Sequence, residues 1–238
     1  MGKLHTAAKD GDIEKVKKLV AGRYMSMFGA GSLVDELDED GQTALHLAAS
    51  KGHAEVCTFL LGKGADQNAP GVANFMPLHM AAAAGHVDVV ALLVAHRVNI
   101  DATNQSFVTP LEEAARNGHA KCVGLLLAEH RRRQGVALTT GSRSDDSLAG
   151  ERQRQLLLQR CVTYGHYPVV DLLLQDFDEP STQQLQELLV KAAACGHSEV
   201  VELLLENGAR PQAPNSEGII PAVAAKDNGH IALSKRLA

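Results

Sequence analysis

The chain has 238 residues, a net charge of −5 and only 3% aromatic residues, with no tryptophan. The mild negative charge does not suggest a nucleic-acid binder, no apolar run approaches a membrane span, and no secretory signal pattern opens the chain. What organises it is a period. Gly11, Gly52, Gly85, Gly118, Gly165, Gly196 and Gly229 recur at a near-constant step, and all but the first precede a histidine. A repeat of about 33 residues means a stack of small units whose repeated surface mostly binds other macromolecules. Two steps are longer than the rest, Gly11 to Gly52 and Gly118 to Gly165, and each marks an insertion.

Taken in chain order, the first repeat carries Lys15 and Lys18 where a central repeat has Val89 and Leu92. A polar outer face of this kind is expected of a terminal cap. Residues 23–37 follow as an insertion, including Tyr24, Met25, Met27 and Phe28. This apolar group is expected to fold back as a lid over the first repeat. The alternative is an exposed anchor beside the acidic run Asp35, Glu36, Asp38, Glu39 and Asp40, which prefers basic targets.

Repeats two to four are regular. Thr43-Ala44-Leu45-His46, Pro77-Leu78-His79 and Thr109-Pro110-Leu111 each start a first helix. Thr109 is predicted to cap it, with Pro110 at the first helical position, where the missing N–H is harmless. Ala48-Ala49 and Ala81-Ala82 keep that helix thin, and a left-handed Gly52, Gly85 or Gly118 ends it. The second helix shows apolar residues at helical spacing, as in Val89, Leu92 and Leu93.

The step from Gly118 to Gly165 is the longest of the series. Within it, residues 131–150 are rich in Gly, Ser and Thr and are predicted to be a flexible insertion. Seven arginines against three acids lie between Arg131 and Arg160. Repeat five runs from near Glu151 through Leu156-Leu157-Leu158. In repeat six, Ser181 and Gln184 form a predicted capping box before a long helix ending at Cys195. Both repeats lack the T-P-L-H string, so short or absent turns are expected on that rim. Ser234, Lys235 and Arg236 make the last repeat a second cap.

These strings resemble the ankyrin repeat, whose core is a T-P-L-H-x-A-like sequence within a unit of about 33 residues. The resemblance implies an all-α solenoid over 1–238, about seven helix-turn-helix repeats including two caps, with short β-hairpin-like turns. It also implies a non-catalytic protein-binding module whose turn tips and first-helix faces line a concave groove. Mapped by position, the groove residues are Asp40, Gln42, Lys51, Val72, Phe75, Val108 and Arg116, with Tyr164 in repeat five. Val72, Phe75 and Val108 have hot-spot composition; the competing expectation is that Phe75 and Phe107 tuck between turns, because Asn74 and Phe107 replace the usual glycine.

The alternative function is a regulatory or assembly subunit of a larger enzyme complex, docking an acidic partner protein through Arg131, Arg132 and Arg133. No catalytic residue, cofactor, small-molecule substrate or metal ligand is expected. Nine of the eleven histidines occupy repeat slots about one layer apart, which cannot converge as zinc requires. Four cysteines without C-x-x-C spacing predict free thiols in the cytoplasm, with the nucleus also open. Met1-Gly2 through Thr6 fits an N-acylation pattern, and membrane association would require that acylation.

Overall fold

A computed structural model describes residues 2–24, 33–139, 147–176 and 180–238. These residues form helices and turns and no strand. The chain divides into two compact units, residues 1–142 and 143–238.

In the N-terminal unit, first helices α1 (Lys3–Asp10), α3 (Ala44–Lys51), α5 (Pro77–Ala84) and α7 (Pro110–Arg116) pack in sequence to form one layer. Second helices α2 (Ile13–Tyr24), α4 (Ala54–Gly62), α6 (Val87–Ala95) and α8 (Ala120–Thr139) form the other. The first layer is thin because its contact positions are alanine: Ala7, Ala48, Ala49, Ala81, Ala82, Ala114 and Ala115 are fully buried. The second layer supplies bulk from Val56, Leu60, Val89, Leu93, Val123 and Leu126. Burying each such side chain is worth about 1.5–3 kcal/mol. Helix starts follow the sequence: Thr109 Oγ1 accepts the Glu112 N–H while the Glu112 carboxylate accepts the Thr109 N–H.

In the C-terminal unit, α9 (Ser147–Tyr164), α11 (Thr182–Cys195) and α13 (Pro221–Asp227) pack in sequence, backed by α10 (Tyr167–Asp176), α12 (Ser198–Glu206) and α14 (Ile231–Leu237). The Ser181–Gln184 capping box is present.

The flexible insertion expected at 131–150 is corrected over most of its length. Residues 131–139 continue α8 and residues 147–150 begin α9; residues 140–146 lie outside the described residues. Helix α8 is prolonged because Glu129, buried at that point, binds the next turn of its own helix. Its carboxylate accepts bonds from Arg132 Nε and Nη2 and from Arg133 Nε, each 2.7 Å long. Arg133 Nη1 also reaches the Val98 carbonyl at 2.9 Å, pinning α8 to the loop after α6. The guanidiniums hold the Glu129 carboxyl down at about 2. A lowered folded value means stabilisation above the ordinary carboxylate range that is lost as pH falls toward 2. Glu129→Gln is expected to lower stability by about 2 kcal/mol at neutral pH. The loss should shrink below pH 4, as read by urea unfolding across pH. Of the insertion at 23–37, residues 25–32 (Met25, Met27 and Phe28 among them) lie outside the described residues, and so does the predicted lid.

Candidate protein-binding edge

Each junction in the N-terminal unit is closed by the same five-residue turn. The N–H of its first residue donates to the carbonyl of its fifth: Asp38 to Gln42 (2.8 Å), Gly71 to Phe75 (2.8 Å) and Asn104 to Val108 (3.1 Å). The C-terminal unit has one such turn among its described residues, Asn215 to Ile219 (2.9 Å). Where the first residue is Asp or Asn, its Oδ1 also accepts N–H groups inside the turn. Asp38 takes those of Asp40 and Gln42, and Asn104 takes those of Ser106 and Val108. The fourth residue is left-handed: Gly41 at φ 66°, Asn74 at 60°, Phe107 at 58° and Gly218 at 78°. Glycine suits this conformation, asparagine tolerates it, and a phenylalanine there is an outlier.

Buried histidines hold the turns from below. His46 Nδ1 accepts the Thr43 N–H (3.2 Å), and its Nε2 donates to the Phe75 carbonyl of the next turn (2.9 Å). His79 does the same with Met76 and Val108, and His5 reaches the Glu36 carbonyl. Burial pushes the His46 and His79 imidazoles below their ordinary value, with backbone carbonyls offsetting part of the effect. Both are therefore neutral at pH 7, with the proton on Nε2. The second set, after each glycine, points backward: Nε2 of His53, His86 and His119 meets the Lys9, Ser50 and Ala83 carbonyls. Among the described residues no cluster of His, Cys, Asp or Glu is placed to hold a metal ion.

Adjacent turns are also joined directly. The Gln105 N–H donates to the Ala73 carbonyl (2.9 Å), and Asn74 Nδ2 to the Thr103 carbonyl (2.7 Å). Val72 lies against Gly41, its Cγ2 3.3 Å from where a Cβ would stand. Turns 71–75 and 104–108 are thus hydrogen-bonded to one another, and turn 38–42 meets turn 71–75 through the Val72–Gly41 contact.

Placement of the sequence-derived residues on this frame is mixed. Asp40, Lys51 and Arg116 are exposed, Gln42 is half-buried, and Val72 is 55% exposed. Phe75 is half-buried, its ring edge-on to His79 with centroids 5.7 Å apart. Val108 is corrected: it is only 8% exposed, because the fifth turn residue is sandwiched with its N–H on Asn104 and its carbonyl on His79. Tyr164, in the other unit, is 49% exposed and stacks on His166. Arg131, Arg132 and Arg133 lie on a helix rather than a loop, and Arg132 and Arg133 direct their guanidiniums at Glu129. Sequence reasoning missed two residues. Leu37 is 59% exposed, and Phe107 projects into solvent, 81% exposed, instead of tucking between turns.

In the C-terminal unit the Gln186 side chain links α11 to the segment before α13. Its Nε2 donates to the Ala213 carbonyl and its Oε1 accepts the Arg210 N–H. Glu187 accepts the Ser216 N–H at 2.7 Å, and these bonds hold its carboxyl below the usual range. A shallow recess of about 280 Å³ lies beside it, lined by Gln159, Glu187, Val190, Lys191, Asn215 and Ile219.

Two layers of short helices, repeated with thin alanine contacts and bridging histidines, define a helical repeat solenoid. The chain belongs to the ankyrin repeat family: the profile of three ankyrin repeats matches residues 3–71 and 67–136, and that of a single repeat matches residues 188–216. Ankyrin repeats generally mediate protein–protein interaction. The human ASB11 ankyrin repeat domain superposes with a TM-score of 0.71 at 24% identity, covering 100% of this chain and 98% of that one, which shows the fold. The palmitoyltransferase akr1 of Schizosaccharomyces pombe is 41% identical over 71 residues, 30% of this chain and 10% of that protein. The mouse protein phosphatase 1 regulatory subunit 27 is 38% identical over 66 residues, 28% of this chain and 38% of that protein. The chain thus matches well under two thirds of the length of these relatives, and only through its repeats.

Proposed function

We propose that the chain is a non-catalytic scaffold or adaptor that binds a partner protein along the edge built by turns 38–42, 71–75 and 104–108. The observation that carries this reading is the distribution of exposed large hydrophobics. Among the described residues of the N-terminal unit these are Leu37, Val72 and Phe107, and all three belong to the turns or their immediate flank. A partner would meet a surface already fixed by hydrogen bonds within each turn and between the second and third, so little ordering entropy opposes docking. Phe75, Asp40 and Gln42 flank the apolar positions, and Lys51 and Arg116 lie at the ends of the first helices. The family's binding role and the name of the phosphatase subunit support an interaction function. Free thiols at Cys57, Cys122, Cys161 and Cys195 support a reducing compartment, cytoplasmic or nuclear.

The test is affinity capture from native lysate, comparing the wild-type chain with a Val72→Asp, Phe107→Asp double variant. A discrete set of proteins lost with the double variant is the expected result. Retention of every captured protein by a folded double variant would overturn the edge as the binding site.

A further inference from the structure

Resting on this protein-binding reading, the geometry points to a specific kind of partner: a polyproline-II segment with a cationic residue at one end and apolar side chains every third position. The argument starts from Phe107. At the same turn position Gly41 and Gly218 are glycine and Asn74 is asparagine, yet here a phenylalanine is held left-handed with its ring in solvent. The exposed ring offers a bound side chain a large apolar contact.

The backbone of the edge disfavours strand addition. Several turn N–H and carbonyl groups are already paired, Gly71 with Phe75, Asn104 with Val108 and Gln105 with Ala73. A continuous ladder of main-chain bonds is thereby interrupted, and side chains carry the contact. Those contacts recur once per repeat, and neighbouring helical layers pack about 8–10 Å apart. A polyproline-II chain has three residues per turn and rises about 3.1 Å per residue, so the same face returns about every 9 Å. An extended β-strand would present the residue three positions on to the opposite face.

Charge sets the polarity. The turn that begins the edge carries exposed Glu36, Glu39 and Asp40 around Leu37, whereas the next two tips present Val72 and Phe107 between uncharged residues. The matching segment has Lys or Arg over the first turn and apolar side chains three and six residues away, over Val72 and Phe107.

The test is panning of a phage-displayed library of random dodecapeptides on the full chain, followed by fluorescence anisotropy with the enriched peptides. The expected result is enrichment of a Lys or Arg followed or preceded at three and six residues by apolar residues, with proline between. Phe107→Gly should weaken such peptides by about tenfold or more. That variant suits the left-handed position better than the native residue, so a folding defect cannot account for the loss. Asp40→Asn should weaken binding less and flatten its salt dependence. Enriched peptides that need Val72 and Phe107 but lack the spacing or the cation would overturn this inference and leave the binding edge standing. Peptides indifferent to Phe107→Gly would overturn both.

Discussion

Gly85→Ala is expected to lower stability by about 3 kcal/mol, whereas Gly229→Ala should lose only about 1 kcal/mol. Both glycines are left-handed, at φ 75° and 84°, so the backbone penalty is shared. They differ in surroundings. A Cβ on Gly85 would stand 2.5 Å from His119 Nδ1 and 2.8 Å from its Cγ, while nothing lies within 4 Å at Gly229. The His119 ring cannot swing away freely, because its Nε2 is bonded to the Ala83 carbonyl at 3.0 Å. The methyl group therefore removes an inter-repeat hydrogen bond as well as straining the turn. In a double-mutant cycle, His119→Ala should cost about 1 kcal/mol alone, and the pair should cost less than the sum. Urea unfolding of the four chains measures this, and strict additivity would show that the ring and the glycine do not share a contact.

His46→Ala should be similarly damaging, about 3 kcal/mol at pH 7.5. It strands the Thr43 N–H in a buried place, leaves the Phe75 carbonyl with the Gly71 N–H alone, and deletes the ring. The same residue makes the fold acid-sensitive. Its folded-state value is pushed below the ordinary histidine value of about 6.5, so the unfolded chain takes up the proton first. The stabilisation is complete above that value and is lost progressively as pH falls below it. His79 behaves alike. Wild type should therefore lose stability between pH 7 and 5 more steeply than a His46→Ala, His79→Ala variant. Parallel pH profiles would show that these imidazoles carry no such linkage.

The parts of the fold that were legible in the sequence are those set by local chemistry. Gly52 and Gly85 end helices because no other residue sits left-handed so cheaply, and Thr109-Pro110 starts one for equally local reasons. The site was less legible because exposure in a turn depends on the neighbouring turn. Val108 and Phe107 are adjacent and both apolar, yet one is pinned beneath the edge by Asn104 and His79 while the other is thrown outward by a positive φ. Periodicity identified Phe107 as a glycine substitute but not the direction of its ring. The stretch after His130 was misread because Gly, Ser and Thr content signals a loop. The opposing force was a single buried carboxylate, Glu129, whose two arginine partners prolong the helix.

The histidine pairs have a consequence for how the N-terminal unit assembles. Every junction between repeats one and four carries two histidine bonds, one forward from the first helix (His5 to Glu36, His46 and His79 to the fifth turn residue) and one backward from after the glycine (His53, His86, His119). Paired bonds confined to adjacent repeats make the array a nearest-neighbour chain in the Ising sense. Such a chain has no obligatory nucleus. Ordering can begin at any adjacent pair and spread in both directions, and a fault at one junction divides the array there without unravelling the repeats on either side.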